Sequence, residues 1–183
     1  ERLLKFGHLH NNVRSQVLGH SCKGWSYLIG GDLPAAKACF EKAVQISADP
    51  WYARFPKLAL GYGFTASGDA DSAEPLLQEL IEFSVTHGAE FLGTTARFFQ
   101  ELCHITPANA TEKLHFCEQQ LEDWRQNNSW LRYVICGHLM ARTFFRLSNQ
   151  APEPSTTDQA DWCEYAMGKA ENWYTICIDK TRD

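Results

Sequence analysis

The sequence repeats itself, because one order of residue types recurs 37 positions further along the chain. In both copies a glycine, an aromatic residue, a Gly-Asp pair, an alanine and a bulky apolar residue follow one another at the same spacing. The first copy comprises Gly24, Tyr27, Gly31-Asp32, Ala36 and Phe40, and the second comprises Gly61, Phe64, Gly68-Asp69, Ala73 and Leu77. Such a period, with small residues where helices touch and Gly-Asp at the turns, is typical of stacked helical hairpins. The repeat therefore predicts an all-α fold, an α-solenoid without a sheet.

Helix start and stop signals divide residues 1–183 into about four hairpins within a single domain. Residues 1–12 are interpreted as the remnant of a preceding helix that ends at the turn signal Asn11-Asn12. Asp32 is expected to cap a helix N-terminus, and Gly88 to end a helix in the left-handed conformation. The predicted hairpins are 13–48 (helices 13–30 and 33–46), 51–87 (51–66 and 70–86), 89–127 (89–104 and 107–126) and 130–178 (130–147 and 160–178), with a loop over 148–158.

One column of small residues continues beyond the clear repeat. Gly24, Gly61, Ala96 and Gly137 are each followed three residues later by a large side chain, namely Tyr27, Phe64, Phe99 and Met140. A glycine inside a helix costs about 1 kcal/mol relative to alanine. Its recurrence indicates that a neighbouring helix passes too close for a Cβ atom, so we expect all four small residues to be buried against another helix.

These residues resemble those of the tetratricopeptide repeat, whose pattern is W-x₂-L-G-x₂-Y…A-x₃-F…P. The first copy matches at Gly24, Tyr27, Ala36, Phe40 and Pro50, and the second matches at Leu60, Gly61, Phe64 and Ala73. The chain departs from the pattern where His20 and Lys57 replace the tryptophan and Lys23 replaces the leucine, and its small residues are 37, 35 and 41 positions apart. The resemblance covers residues 13–86 best, and it implies a right-handed superhelix of antiparallel hairpins that serves protein–protein interaction. The chain also resembles the C-terminal repeat regions of large bacterial signalling proteins that join an ATPase module or a nucleotide cyclase domain to such an array.

Composition and charge argue against several classes of protein. No apolar stretch approaches the roughly 18 residues of a membrane helix, and the formal charge of −5 with scattered basic residues argues against nucleic-acid binding. The seven cysteines have no disulfide-type spacing, which favours a reducing cytoplasm. Because the chain opens on Glu1, it is expected to be a piece of a longer signalling or regulatory protein.

No motif in the chain supplies catalytic chemistry. Gly61-Tyr62-Gly63 lacks the lysine of a phosphate-binding loop, and Gly24-Trp25-Ser26-Tyr27-Leu28 lacks the second glycine of a nucleophile elbow. Residues two apart on a helix point about 200° away from each other, so His115 with Cys117 and Cys136 with His138 are poor chelating pairs. The sequence therefore predicts no catalytic residue, no metal site and no cofactor.

Repeat geometry predicts instead a partner-binding surface. The residue after each small residue is expected to face the concave wall of the solenoid, and so is the residue one turn later. This rule selects Trp25, Ile29, Tyr62, Arg97, Glu101, His138 and Arg142. The groove would be apolar in its first half and charged in its second, which suits a peptide with a hydrophobic anchor followed by an ionic segment.

The sequence leaves two possible functions for this groove, and one alternative in which its aromatic residues have only a structural role. The first function is a scaffold that binds a protein, a peptide or another domain of the same polypeptide, and the second is a regulatory sensor for a small ligand. The structural alternative is that Trp25 and Tyr62 are simply buried by the next repeat. A homodimer through a terminal helix is a further expectation, because apolar residues crowd both 3–6 and 162–178.

Overall fold

The computed structural model describes residues 1–106, 109–150, 164–173 and 175. All regular secondary structure in these residues is α-helical, so the all-α prediction is confirmed. The helices are α1 (Arg2–Leu9), α2 (Val13–Ile29), α3 (Leu33–Ile46), α4 (Pro50–Ser67), α5 (Ala70–His87), α6 (Glu90–Cys103), α7 (Ala110–Gln126), α8 (Trp130–Gln150) and α9 (164–173).

The predicted helices of the first two hairpins agree with α2 to α5 to within one residue at each end. The predicted helix 107–126 begins later, at Ala110, and the predicted helix 160–178 contains α9. The loop predicted over 148–158 is corrected at its start, because α8 continues to Gln150. The side chains of Ser148 and Asn149 both donate to the carbonyl of Phe145, so these polar residues extend the helix. Residues 151–158 lie outside the described part of the chain.

The chain divides into two compact units, Glu1–Ala96 and Arg97–Asp183. The repeat that is clear in the sequence lies wholly in the first unit, where α1 packs on α2, α2 on α3, α3 on α4 and α4 on α5. A single domain over the whole chain stays a prediction.

The repeated residues of the first unit make the same contact twice. A Cβ atom at Gly24 would lie 2.6 Å from Cε1 of Phe40, and one at Gly61 would lie 2.7 Å from Cδ2 of Leu77. Real Cβ atoms essentially never approach another heavy atom this closely, so a Cβ at either glycine would force the bulky residue 16 positions later to shift. Gly24, Gly61, Ala96 and Gly137 are all buried, as the spacing predicts.

The short turns between helices also share one construction. In five of them a residue with positive φ is followed by an N–H that donates to the carbonyl five residues earlier, which closes the preceding helix. The positive-φ residues are Asn11, Gly31, Gly68, Gly88 and Asn128, and the donors that follow them are Asn12, Asp32, Asp69, Ala89 and Ser129. The carboxylates of Asp32 and Asp69 then cap the next helix by accepting from the N–H groups of Ala35 and Ser72. The predicted roles of Asp32 and Gly88 are confirmed.

The second unit has a core of its own, centred on α8. The buried face of this helix presents Cys136, Leu139, Met140 and Phe144, and α7 packs against α8. The ring of Trp124 lies 5.4 Å from that of Phe98 between centroids. α9 is attached by an ion pair between Lys169 and Glu118 of 2.5 Å.

Candidate partner-binding surface

The three predicted surface residues of the first unit differ widely in exposure. Trp25 is half-buried between two rings, with its centroid 5.6 Å from that of Tyr62 and 5.7 Å from that of Phe40, both edge-on. Tyr62 is only 2% exposed, whereas Ile29, one turn beyond Trp25, is 80% exposed. Tyr62 is buried on α4, which contacts α2 directly, and its ring packs against that of Trp25. Tyr62 therefore cannot itself be the exposed aromatic anchor that the sequence predicts.

The other four predicted residues belong to the second unit and form two pairs, each one helical turn apart. Arg97 and Glu101 lie on α6, and His138 and Arg142 lie on α8. Arg97 is exposed, while Glu101 is half-buried and forms an ion pair with Lys113 of α7. Since the seven residues are divided between the two units, their common wall stays a prediction.

His138 was predicted to belong to the charged half of the groove, but its imidazole carries little charge. Burial, and to a smaller extent the positive charge of Arg142, hold the pKa of His138 below its ordinary value of 6.5. The imidazole is therefore mostly neutral at pH 7. In the predicted charged half of the groove, Arg97 and Arg142 therefore carry the positive charge, and His138 does not.

We expect Arg142→Gln to raise the pKa of His138 without restoring its ordinary value, because burial is the larger cause. The pKa can be followed by a pH titration of the imidazole signals in NMR spectra. Because the folded pKa is depressed, the neutral form of His138 stabilises the fold above pH 6.5, and this contribution is lost as the pH falls through the folded pKa. Arg125→Gln is the control, since that guanidinium is paired with Glu122, and it should leave the pKa unchanged.

One departure from the tetratricopeptide pattern, Lys57, forms a defined contact in the second hairpin. Lys57, which stands in place of the tryptophan, donates to both carboxylate oxygens of Glu79 on α5 at 2.8 and 2.7 Å. Arg54 donates to the same carboxylate and lies over the ring of Phe83. Although partial burial raises the pKa of Glu79, these hydrogen bonds hold it below its ordinary value. The residue at the tryptophan position of the pattern thus forms an ion pair between α4 and α5.

An apolar cavity of about 290 Å³ opens between α2, α3 and α4. Its walls include Leu28, Phe40, Leu60 and Phe64, and the amino group of Lys37 lies 4.9 Å from the Phe64 ring centroid. The sequence did not predict this cavity, and the one hint of it was Gly63, a glycine inside a helix. Gly63 is inside a helix but a Cβ there would meet no atom within 4 Å, so no close helix contact explains this glycine.

The described residues bring together no three His, Cys, Asp or Glu side chains that could hold a metal ion. On α7, His115 is exposed and Cys117 is buried, as expected for residues two apart on a helix. Burial raises the pKa of the Cys117 thiol far above its usual range, which makes it a poor nucleophile. None of the helices described combines the length and the apolar content that crossing a membrane would require.

Comparison of the chain with protein-family models, with curated proteins and with solved structures finds no match. The resemblance to the tetratricopeptide repeat therefore rests on the quoted residues alone.

Proposed function

We propose that the chain is a non-catalytic scaffold, a right-handed superhelix of tetratricopeptide-like hairpins that binds a protein or peptide partner on its concave face. The observation that carries the proposal is that Ile29 and Trp25 lie one turn apart at the C-terminal end of α2. Ile29 projects an almost fully exposed aliphatic side chain, and the neighbouring indole is held rigid by Tyr62 and Phe40. The indole binds at low entropic cost, because its two ring contacts already order it before association.

The partner that suits the α2 surface has an apolar side chain that covers Ile29 and Trp25. In the second unit, taken by itself, Arg97 and Arg142 suit an acidic segment of a partner. Either partner segment can belong to another protein or to another domain of the same polypeptide.

The test is a peptide library selected for binding to the chain, followed by titration of the selected peptides. Ile29→Glu is expected to weaken binding by about 2 kcal/mol or more, which is roughly 30-fold. Val85→Glu is the matched control, because Val85 is also a branched aliphatic residue and is 75% exposed near the end of another helix, α5. Unchanged affinity in the folded Ile29→Glu variant would remove α2 from the binding site.

A regulatory sensor of a small ligand is the second candidate, favoured by the cavity between α2, α3 and α4. Its apolar walls and the neighbouring Lys37 suit a small apolar carboxylate. Filling the cavity with Gly63→Leu should abolish the thermal stabilisation that such a compound provides. The same variant should leave binding of the selected peptides intact.

A further inference from the structure

The two helices of a hairpin meet in the same register in both repeats of the first unit. The side chain of Phe40 lies against Gly24 where α3 packs on α2, and that of Leu77 lies against Gly61 where α5 packs on α4. Each residue of the second pair of helices therefore stands 37 positions after its equivalent in the first pair. A contact that crosses from α4 to α5 identifies the residues that face one another between α2 and α3.

The ion pair of the second repeat is such a contact. Lys57 of α4 donates to both carboxylate oxygens of Glu79 on α5 at 2.8 and 2.7 Å, and Arg54 donates to the same carboxylate. The equivalents of Lys57 and Glu79 in the first repeat are His20 on α2 and Lys42 on α3. Two basic side chains thus face one another in the first repeat where the second repeat has a base and an acid.

Two further basic residues lie near His20. Lys23 is three residues later on α2 and so lies on the same face of the helix, and His8 belongs to α1, which packs on α2. Burial lowers the pKa of His20 below its ordinary value of 6.5, and the positive charges of His8, Lys42 and Lys23 lower it further. His8, His20, Lys23 and Lys42 therefore form one basic cluster with members from three helices.

The charge of this basic cluster is not balanced within the part of the chain that the structure describes. The ion pairs found there include none of its four members, and Glu41, the acidic neighbour of Lys42, is paired one turn earlier on its own helix. The amino group of Lys23 lies 5.6 Å from the centroid of the Tyr27 ring, a contact that leaves its charge in place. Lys23 and Lys42 are exposed and His20 is half-buried, so a solute can reach all three.

We propose that this basic cluster binds a phosphate dianion, either the free ion or a small phosphate monoester, where the second repeat has the carboxylate of Glu79. Charge selects the ligand, because Lys23 and Lys42 carry two fixed positive charges that a dianion balances. The oxygens of a phosphate can accept hydrogen bonds from both ammonium groups and from an N–H of His20, which the imidazole offers whether neutral or protonated. The site shares no residue with the Ile29 surface or with the apolar cavity, so it goes beyond the scaffold and sensor functions.

The test is an NMR titration of the His20 imidazole signals of the whole chain with sodium phosphate, and separately with glycerol phosphate. Both probes are mostly dianions at about pH 7.5. The signals should shift to saturation, and sodium chloride at the same ionic strength should not reproduce the shift. Bound phosphate should also raise the pKa of His20, because a nearby anion favours the imidazolium form. Tighter binding of glycerol phosphate would assign the site to a monoester, and tighter binding of inorganic phosphate would assign it to the free ion.

Lys42→Glu gives the first repeat the charges of the second and is the sharpest variant. Its carboxylate should pair with His20, raise the pKa of His20 without added phosphate, and weaken phosphate binding by about tenfold or more. Lys42→Gln, which only removes the positive charge, should weaken binding less. Arg125→Gln is its matched control, because it removes one positive charge from the second unit and should leave binding unchanged.

Two results would overturn the proposal. A shift that does not saturate, or equal binding to the wild type and Lys42→Glu, would mean an adventitious ion only. A pKa of His20 that Lys42→Glu leaves unchanged would show that the two side chains do not face one another.

Discussion

Replacing Phe40 by alanine is expected to lower the free energy of unfolding by about 3–5 kcal/mol. The side chain is 1% exposed, and its ring occupies the space that the missing Cβ of Gly24 leaves open. It also packs against the Trp25 ring in a T-shaped arrangement. Alanine would leave a cavity at the contact between α2 and α3 that rigid helices cannot close. Urea denaturation followed by far-ultraviolet circular dichroism measures the change.

Phe55→Ala provides the control for this prediction. Phe55 is another phenylalanine of the first unit, but it is exposed on α4. Its truncation should change the free energy of unfolding by no more than about 0.5 kcal/mol. Equal losses in the two variants would show that Phe40 has no special place in the core.

Two glycines of α4, only two residues apart, are expected to respond to substitution with opposite signs. Gly61→Val should destabilise the chain by about 1–3 kcal/mol through overpacking, because the new Cβ would meet the side chain of Leu77. Gly63→Ala should stabilise it by up to about 1 kcal/mol, since alanine favours the helix and a Cβ there meets nothing within 4 Å. Thermal and urea denaturation of both variants give the signs.

A destabilising Gly63→Ala would mean that the cavity beside α4 is narrower than described. A neutral Gly61→Val would mean that α4 and α5 can move apart, and that the glycine is not required by their contact. Gly61→Ala, the smaller change, should lie between the wild type and Gly61→Val.

The architecture of the first unit could be predicted from the sequence because local signals and the repeat agree there. Gly31-Asp32 and Gly68-Asp69 specify both the end of one helix and the cap of the next, and such signals depend only on neighbouring residues. The column of small residues indicated which helices pack together, since a glycine in a helix interior indicates a close neighbouring helix. Gly63 shows the limit of this reasoning, because the same residue type there lines a cavity.

The side chains of the candidate surface could be predicted less well, because their exposure depends on how closely two helices approach. Trp25 and Tyr62 hold the same place in the repeat, yet Tyr62 is buried and Trp25 is only half-buried. The loss of charge on His138 depends on burial that periodicity does not report. The ion pair of Lys57 with Glu79 joins two helices, and nothing in the local sequence of either indicates it.

The claim that underlies the assignments in the first unit is that each of its two repeats is held by one glycine and one bulky residue 16 positions later. A double-mutant cycle on Gly24 and Phe40 tests it most directly, with free energies of unfolding measured for Gly24→Ala, Phe40→Ala and the double variant. Gly24→Ala should destabilise the wild-type chain by about 1–3 kcal/mol because its Cβ meets the Phe40 ring. In the Phe40→Ala background the same change should be neutral or stabilising by up to about 1 kcal/mol, as helix propensity alone requires. The same change in stability in both backgrounds would contradict the contact, and with it the repeat register from which the candidate partner-binding surface is derived.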